Sequence, residues 1–143
     1  NDRMKLNIGA GGRRIDGYLG VDAVQRDGAD IVAPANKIPL DDGCATEVLA
    51  IHLVEHLLPW ELPETLAEWS RLLKPGGALV YIVCSLLDAE GATQVDAFLA
   101  AHPGWRAEPP TLPFGCAHHA GTRLTPAHDA TDGFFVARLR APC

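Results

Sequence analysis

The stretch LLKPGGALVYIVCSL, residues 72–86, decides the fold. Two leucines and a lysine close a helical pattern, Pro75 stops it, and Gly76-Gly77 turn the chain. A glycine pair after the last helical turn ends a helix cheaply, because glycine adopts backbone angles closed to other residues. ALVYIVC then runs apolar nearly throughout, as a central strand covered on both faces does. Helix, tight turn and buried strand in this order are one half of a βαβ unit, so the sequence predicts a parallel sheet. Cys84 stands where that strand runs out. In sequence terms it is either a nucleophile at the mouth of a cleft or a small apolar residue filling a core.

Working outward, KLNIGA, GYLGVDA, ADIVAPA and EVLAIHLV read as four strands before this point. PWELPETLAEWSRLLKPGG reads as the helix that leads into it, with Leu62, Leu66, Trp69, Leu72 and Leu73 at helical spacing. After it, DAEGATQVDAFLAAHP reads as a second helix, with Asp88 near its start and Val95, Phe98 and Leu99 on one face. TRLTPA and GFFVARLRA close the chain as two strands, antiparallel because the loop between them is too short for a helix. The segment from Gly104 to Gly121 is Pro-rich and aperiodic and reads as a long loop. Only Arg13 to Asp16 separate NIGAGG from GYLGVD, so the first crossover has no room for a full helix. The expectation is one α/β domain over residues 1–143, Rossmann-like and three-layered, with a mostly parallel sheet of seven strands and an antiparallel last strand. Its expected halves are residues 1–77, which carry the first candidate site, and 78–143 at the carboxyl end.

Bulk properties fit such a domain. A chain of 143 residues buries about two-thirds of its unfolded surface without disulfides or metals. With 12 basic and 18 acidic residues the formal charge is −6, which opposes unaided binding to nucleic acid. No apolar run approaches the roughly 20 residues of a membrane span, and a cytoplasmic location is expected. Cys44, Cys84, Cys116 and Cys143 contain no C-x-x-C and read as free thiols. Cys116, His118, His119 and His128 cluster, but without the separated ligand pairs of zinc sites, so no metal is expected.

The first candidate site is the glycine loop. IGAGG after the first strand places Gly9, Gly11 and Gly12 at the carboxyl end of the sheet, where the backbone can approach a ligand and offer amide donors. Asp22 ends the next strand, where a carboxylate can take both hydroxyls of a ribose. A nucleoside-type ligand fits better than a dinucleotide: the third glycine of G-x-G-x-x-G falls on Arg14, and the crossover helix is missing.

KLNIGAGG, GYLGVD, ADIVAPANKIPLDDG, EVLAIHLVEHLL and LAEWSRLLKPGGAL, in that order, resemble class I S-adenosylmethionine-dependent methyltransferases over about residues 5–80. The resemblance implies S-adenosylmethionine as cofactor. Gly9, Ala10 and Gly11 would pass its methionine part and Asp22 its ribose, while the Ala35 and Asn36 backbone reaches the adenine edge. Pro34 replaces the acidic residue the family places against the adenine amino group. His52, Glu55 and His56 would stand at the reactive end, or would simply start a solvated helix.

From residue 72 to about 141 the likeness changes. LVYIVCSLLDAEGATQVDAFLAAHP and LTPAHDATDGFFVARL are similar to the carboxyl end of Sun-type ribosomal RNA cytosine-5 methyltransferases. In that family the cysteine at the place of Cys84 is the nucleophile. Its thiolate adds to C6 of cytosine, C5 takes the methyl group, a base removes the C5 proton, and the cysteine leaves. The family's D-A-P-C after the fourth strand reads IHLVEH here, without the aspartate or the second cysteine. The resemblance therefore implies three readings. The chain is a cofactor-binding methyltransferase domain with weak or no activity, an RNA cytosine-5 methyltransferase using Cys84, or a non-enzymatic scaffold. RNA binding is not expected without an added domain. The join in LLKPGGALVY fits a chimera of two branches, natural or engineered, and equally a divergent natural protein.

Overall fold

A computed structural model describes residues 4–10, 14–25, 27–51, 62–83, 92–108, 116–118, 121–124 and 134–142. The elements in chain order are β1 (Met4–Ile8), β2 (Leu19–Asp22), β3 (Ile31–Val32), β4 (Ala45–Ile51), α1 (Leu62–Leu72) and β5 (Leu73–Val83). They continue with α2 (Ala92–Ala101), β6 (Arg106–Ala107), β7 (Cys116–His118), β8 (Gly121–Leu124) and β9 (Phe134–Arg140). The strands form one sheet in the order β3-β2-β1-β4-β5-β9-β8-β7, with β6 also paired to β9. β3, β2, β1, β4 and β5 are mutually parallel, and β9 runs antiparallel to both β5 and β8.

All seven expected strands are present. The described sheet counts nine, because the 104–121 segment read as a loop contributes β6 and β7. These are two- and three-residue pieces held by edge pairing to β9 and β8, too short to leave a period in the sequence. The first crossover is short, as expected: the described residues between β1 and β2 contain no helix.

Leu6, Val48, Leu79 and Leu139 align across β1, β4, β5 and β9, and so do Ile8, Ala50, Tyr81 and Ala137. Paired residues share a face, and this face is buried. Leu66, Trp69 and Leu72 of α1 and Val95 and Phe98 of α2 complete the same core cluster. Their three-residue spacing turns one stripe of each helix to the sheet. Glu64 in the first turn of α1 and Arg71 in the last complement its dipole. The Gly43 N–H donates to the Arg71 carbonyl at 2.9 Å and satisfies one group at the helix end. The opposite sheet face, with Leu49, Val80, Ile82, Arg138 and Arg140, is half-buried. Among the described residues one helical layer and the sheet are therefore seen.

The Pro75-Gly76-Gly77 turn lies within β5. Ala45 pairs with Leu73, but Glu47, two residues on, pairs with Ala78, so the intervening residues of β5 bulge out of the ladder. Gly76 has φ +76°. A Cβ on Gly77 would sit 2.9 Å from the Lys74 carbonyl oxygen. Both glycines are required by the backbone.

Candidate functional site

A cleft of about 250 Å³ opens at the carboxyl ends of β1, β2 and β3. In an open α/β sheet this is where ligands bind. Gly9 ends β1 with φ +76°, a conformation that favours glycine and brings backbone to the cleft wall. The amide donors expected of this loop are partly committed: the Gly9 and Ala10 N–H groups both donate to the Val21 carbonyl, at 2.8 and 3.1 Å. The loop therefore contributes close approach at Gly9, while Ala10 is buried. Ile8, Val21, Ala23 and Ala33 give the cleft apolar walls.

Asp22 reaches the cleft from the end of β2. Its Oδ1 accepts the Val24 N–H at 3.0 Å, so the chain turns back under the carboxylate and fixes its direction. Its own carbonyl accepts the Ala33 N–H at 2.9 Å, which ties β2 to the segment after β3. The third side is Pro34, Ala35 and Asn36. The Lys37 N–H donates to the Pro34 carbonyl at 3.1 Å, closing a turn with Ala35 and Asn36 at its centre. Pro34, where the family has an acid, is thus a wall residue that opens this turn.

Helix α1 holds the turn. Trp69 Nε1 donates to the Ala35 carbonyl at 3.0 Å, and Asn36 Nδ2 donates to Glu64 Oε1 at 2.9 Å. Glu68 accepts the Ile38 N–H at 2.9 Å. Arg71 donates to the carbonyls of Leu40 and Ile38, at 2.8 and 3.1 Å, and to Asp42 and Glu68, each at 2.7 Å. The Arg71 guanidinium, and then the Ile38 N–H, hold the Glu68 carboxyl below its ordinary range against the opposing effect of burial. Hydrogen bonds to Glu68 and then Asp42 push Arg71 further up, so it is always a cation. Thr65, fully buried, also lines the cleft.

The structure brings Gly9, Asp22, Ala35 and Asn36 to one cleft. Gly11, His52 and Cys84, with Glu55 and His56, lie outside the described residues. Thr65, which lines the cleft, and the Glu64-Glu68-Arg71 stripe, which holds the turn beside it, were not singled out in the sequence. The only signal was a polar row bordering the apolar stripe in ETLAEWSR. The donor set suits an adenosine: apolar walls for a base, a turn backbone for its edge and an oriented carboxylate for a diol. No described helix is long and apolar enough to cross a membrane.

Comparison with known proteins agrees. A methyltransferase-domain profile matches residues 17–81, and the profile described as 16S rRNA methyltransferase RsmB/F matches residues 59–140. Ribosomal RNA small subunit methyltransferase B of Xylella fastidiosa (strain Temecula1) is 38% identical over 117 residues, covering 74% of this chain and 27% of the relative. The protein of the same name from Thermus thermophilus is 43% identical over 84 residues, 58% of this chain and 20% of the relative. The chain thus spans about a quarter or less of these relatives' length. Among solved structures, NSun6 from Pyrococcus horikoshii with SFG superposes with TM-score 0.78 at 17% identity, covering 97% of this chain and 48% of that one. The N-methyltransferase NodS from Bradyrhizobium japonicum in complex with S-adenosyl-L-homocysteine gives 0.66 at 11% identity, covering 99% and 79%. At such identities the likeness is one of fold, a Rossmann-like methyltransferase fold. On the match over residues 59–140, more than half of its length, the chain belongs to the 16S rRNA methyltransferase RsmB/F family.

Proposed function

We propose that the cleft between Gly9, Asp22 and the Ala35-Asn36 turn holds S-adenosylmethionine, and that the chain is the cofactor-binding domain of a methyltransferase. The convergence of these residues on one cleft carries the reading. Structural neighbours of the same fold are seen with SFG and with S-adenosyl-L-homocysteine, which supports it. The cofactor supplies an electrophilic methyl group on a sulfonium. The chain's own residues orient it. Asp22 accepts hydrogen bonds from the ribose hydroxyls, the Ala35-Asn36 turn meets the adenine edge, and Gly9 lets the chain pass close beneath. Holding the cofactor and the acceptor in reacting geometry then lowers the entropic part of the barrier.

Isothermal titration with S-adenosyl-L-homocysteine tests the reading. The wild-type chain is expected to bind, and Asp22→Ala to weaken binding by about tenfold or more, since charge-assisted hydrogen bonds are worth roughly 1.5–3 kcal/mol. A folded wild-type chain that gives no heat at millimolar ligand refutes it.

The match to the RsmB/F profile spans Cys84 and favours RNA as the methyl acceptor, with Cys84 as nucleophile. IHLVEH in place of D-A-P-C means that this chemistry runs without the family's second cysteine. Transcripts incubated with labelled cofactor should gain label with the wild type and none with Cys84→Ala. Equal labelling by both removes Cys84 from the mechanism.

A further inference from the structure

The crossover from β1 to β2 has no helix among its described residues, so other contacts must hold the glycine loop in place. At its start, the Gly9 and Ala10 N–H groups are bound to the Val21 carbonyl. Past its far end, Arg14 Nη1 donates to both carboxylate oxygens of Asp30, at 2.9 and 3.1 Å. Asp30 is in turn fastened to Gly20, the neighbour of Val21. The Gly20 N–H donates to Asp30 Oδ2 at 2.9 Å, and the Asp30 N–H donates to the Gly20 carbonyl at 2.8 Å. Packing at Gly20 is equally tight. A Cβ there would lie 1.7 Å from the Gly28 carbonyl oxygen and 3.1 Å from the Ala10 Cβ. The segment that carries Asp30, strand β2 and the glycine loop thus meet at one point, two residues before Asp22.

We propose that Arg14 and Asp30 are positioning residues for the cofactor site: their ion pair fastens the chain that follows the glycine loop to the Gly20 end of β2, where no described residue forms a crossover helix. The proposal rests on the cofactor reading given above. The pair is solvent-facing, with side-chain exposures of 59% for Arg14 and 27% for Asp30. An exposed pair adds little to global stability. Its effect therefore falls on loop geometry, and so on affinity. The Gly20 N–H, and then Arg14, hold the Asp30 carboxyl below its ordinary range, so the link persists at neutral pH.

The test is titration of S-adenosyl-L-homocysteine into wild type, Arg14→Ala, Arg14→Lys and Asp30→Asn, with thermal melts of each protein without ligand. Arg14→Ala and Asp30→Asn are expected to weaken binding about three- to fivefold, the range of a weak ion pair. Their melting midpoints should stay within about 2 °C of wild type. Arg14→Lys, which keeps the cation, should recover most of the affinity. Wild-type affinity in both Arg14→Ala and Asp30→Asn overturns the proposal. So does a large fall in the melt of Arg14→Ala, which makes the pair a structural one. A wild type that does not bind at all overturns the cofactor reading itself, a result distinct from the other two.

Discussion

Trp69→Phe separates the two tasks of α1. Trp69 is fully buried, and its Nε1–H reaches the Ala35 carbonyl at 3.0 Å. Phenylalanine keeps an aromatic ring against the sheet but has no donor. The lost hydrogen bond costs about 1 kcal/mol. The smaller ring leaves a gap of about 40 Å³, worth about 1 kcal/mol at ~24 cal/mol per Å³. Together these give about 2 kcal/mol. For a chain of this length that is a fall of roughly 6–8 °C in melting midpoint. The melt is followed by circular dichroism, because removing one of three tryptophans changes fluorescence directly. The hydrogen-bond share, about 1 kcal/mol, should also appear as about fivefold weaker binding of S-adenosyl-L-homocysteine, since the turn it fixes faces the cleft. A melt within about 2 °C of wild type refutes the packing estimate. A lower melt with unchanged affinity refutes the claim that Trp69 positions the turn.

Three further outcomes follow from the same structure. Leu79 is fully buried between Val48 and Leu139, so Leu79→Asp leaves an unpaired buried charge and should give an unfolded circular dichroism spectrum. Val80→Asp should stay folded, because Val80 is half-buried and sits opposite Arg138 in the ladder; an unfolded Val80→Asp sinks this reading of the two faces. Glu68 has a folded pKa below its unfolded value near ~4.3, so its contribution is present above about pH 4.3 and is lost as pH falls through the lower folded value. Urea melts of wild type and Glu68→Gln should differ at pH 7 and converge toward pH 3. Parallel stabilities across that range contradict the assignment.

Much of the fold was legible because it rests on local signals. The apolar runs gave the parallel strands. The Leu66, Trp69 and Leu72 spacing gave α1, and Val95 and Phe98 gave α2. Glycine after β1 and aspartate at the end of β2 gave two walls of the cleft. The rest depends on contacts distant in sequence. The Arg71 anchor reaches back to Ile38, Leu40 and Asp42, and no periodicity encodes that. The commitment of the Gly9 and Ala10 amides to Val21 arises because pairing between β1 and β2 continues past Ile8. Sequence places Val80 on an apolar strand and suggests that both faces are equally closed. The structure shows the Leu79-Tyr81 face sealed and the Val80-Ile82 face half-open. An aspartate at 80 is therefore far better tolerated than the sequence suggests.

The two profile matches overlap over residues 59–81, which contain α1 and most of β5. β5 pairs with β4 on one side and with β9 on the other, so it is where the two ends of the chain join one sheet. The bulge at Pro75-Gly76-Gly77 is fastened to the last strand mainly through backbone. The Gly76 N–H donates to the Pro142 carbonyl at 3.1 Å, and the Ala141 N–H donates to the Gly77 carbonyl at 2.9 Å. A side chain adds to this: Arg140 Nη1 donates to the Gly76 carbonyl at 2.8 Å while Glu108 holds its other nitrogens. Backbone pairing is indifferent to side-chain identity, and the buried positions of β5 ask only for apolar residues of suitable volume. Residues before and after this strand can therefore differ widely in descent and still build one core, provided that glycine stays at 76 and 77. Catalytic chemistry is less forgiving, because a thiolate and its acid must come from neighbouring strands at fixed spacing. In the sequence Cys84 follows β5 and IHLVEH begins at the last residue of β4, so the stretch after β4 meets what the fold asks of it without the aspartate or second cysteine of D-A-P-C.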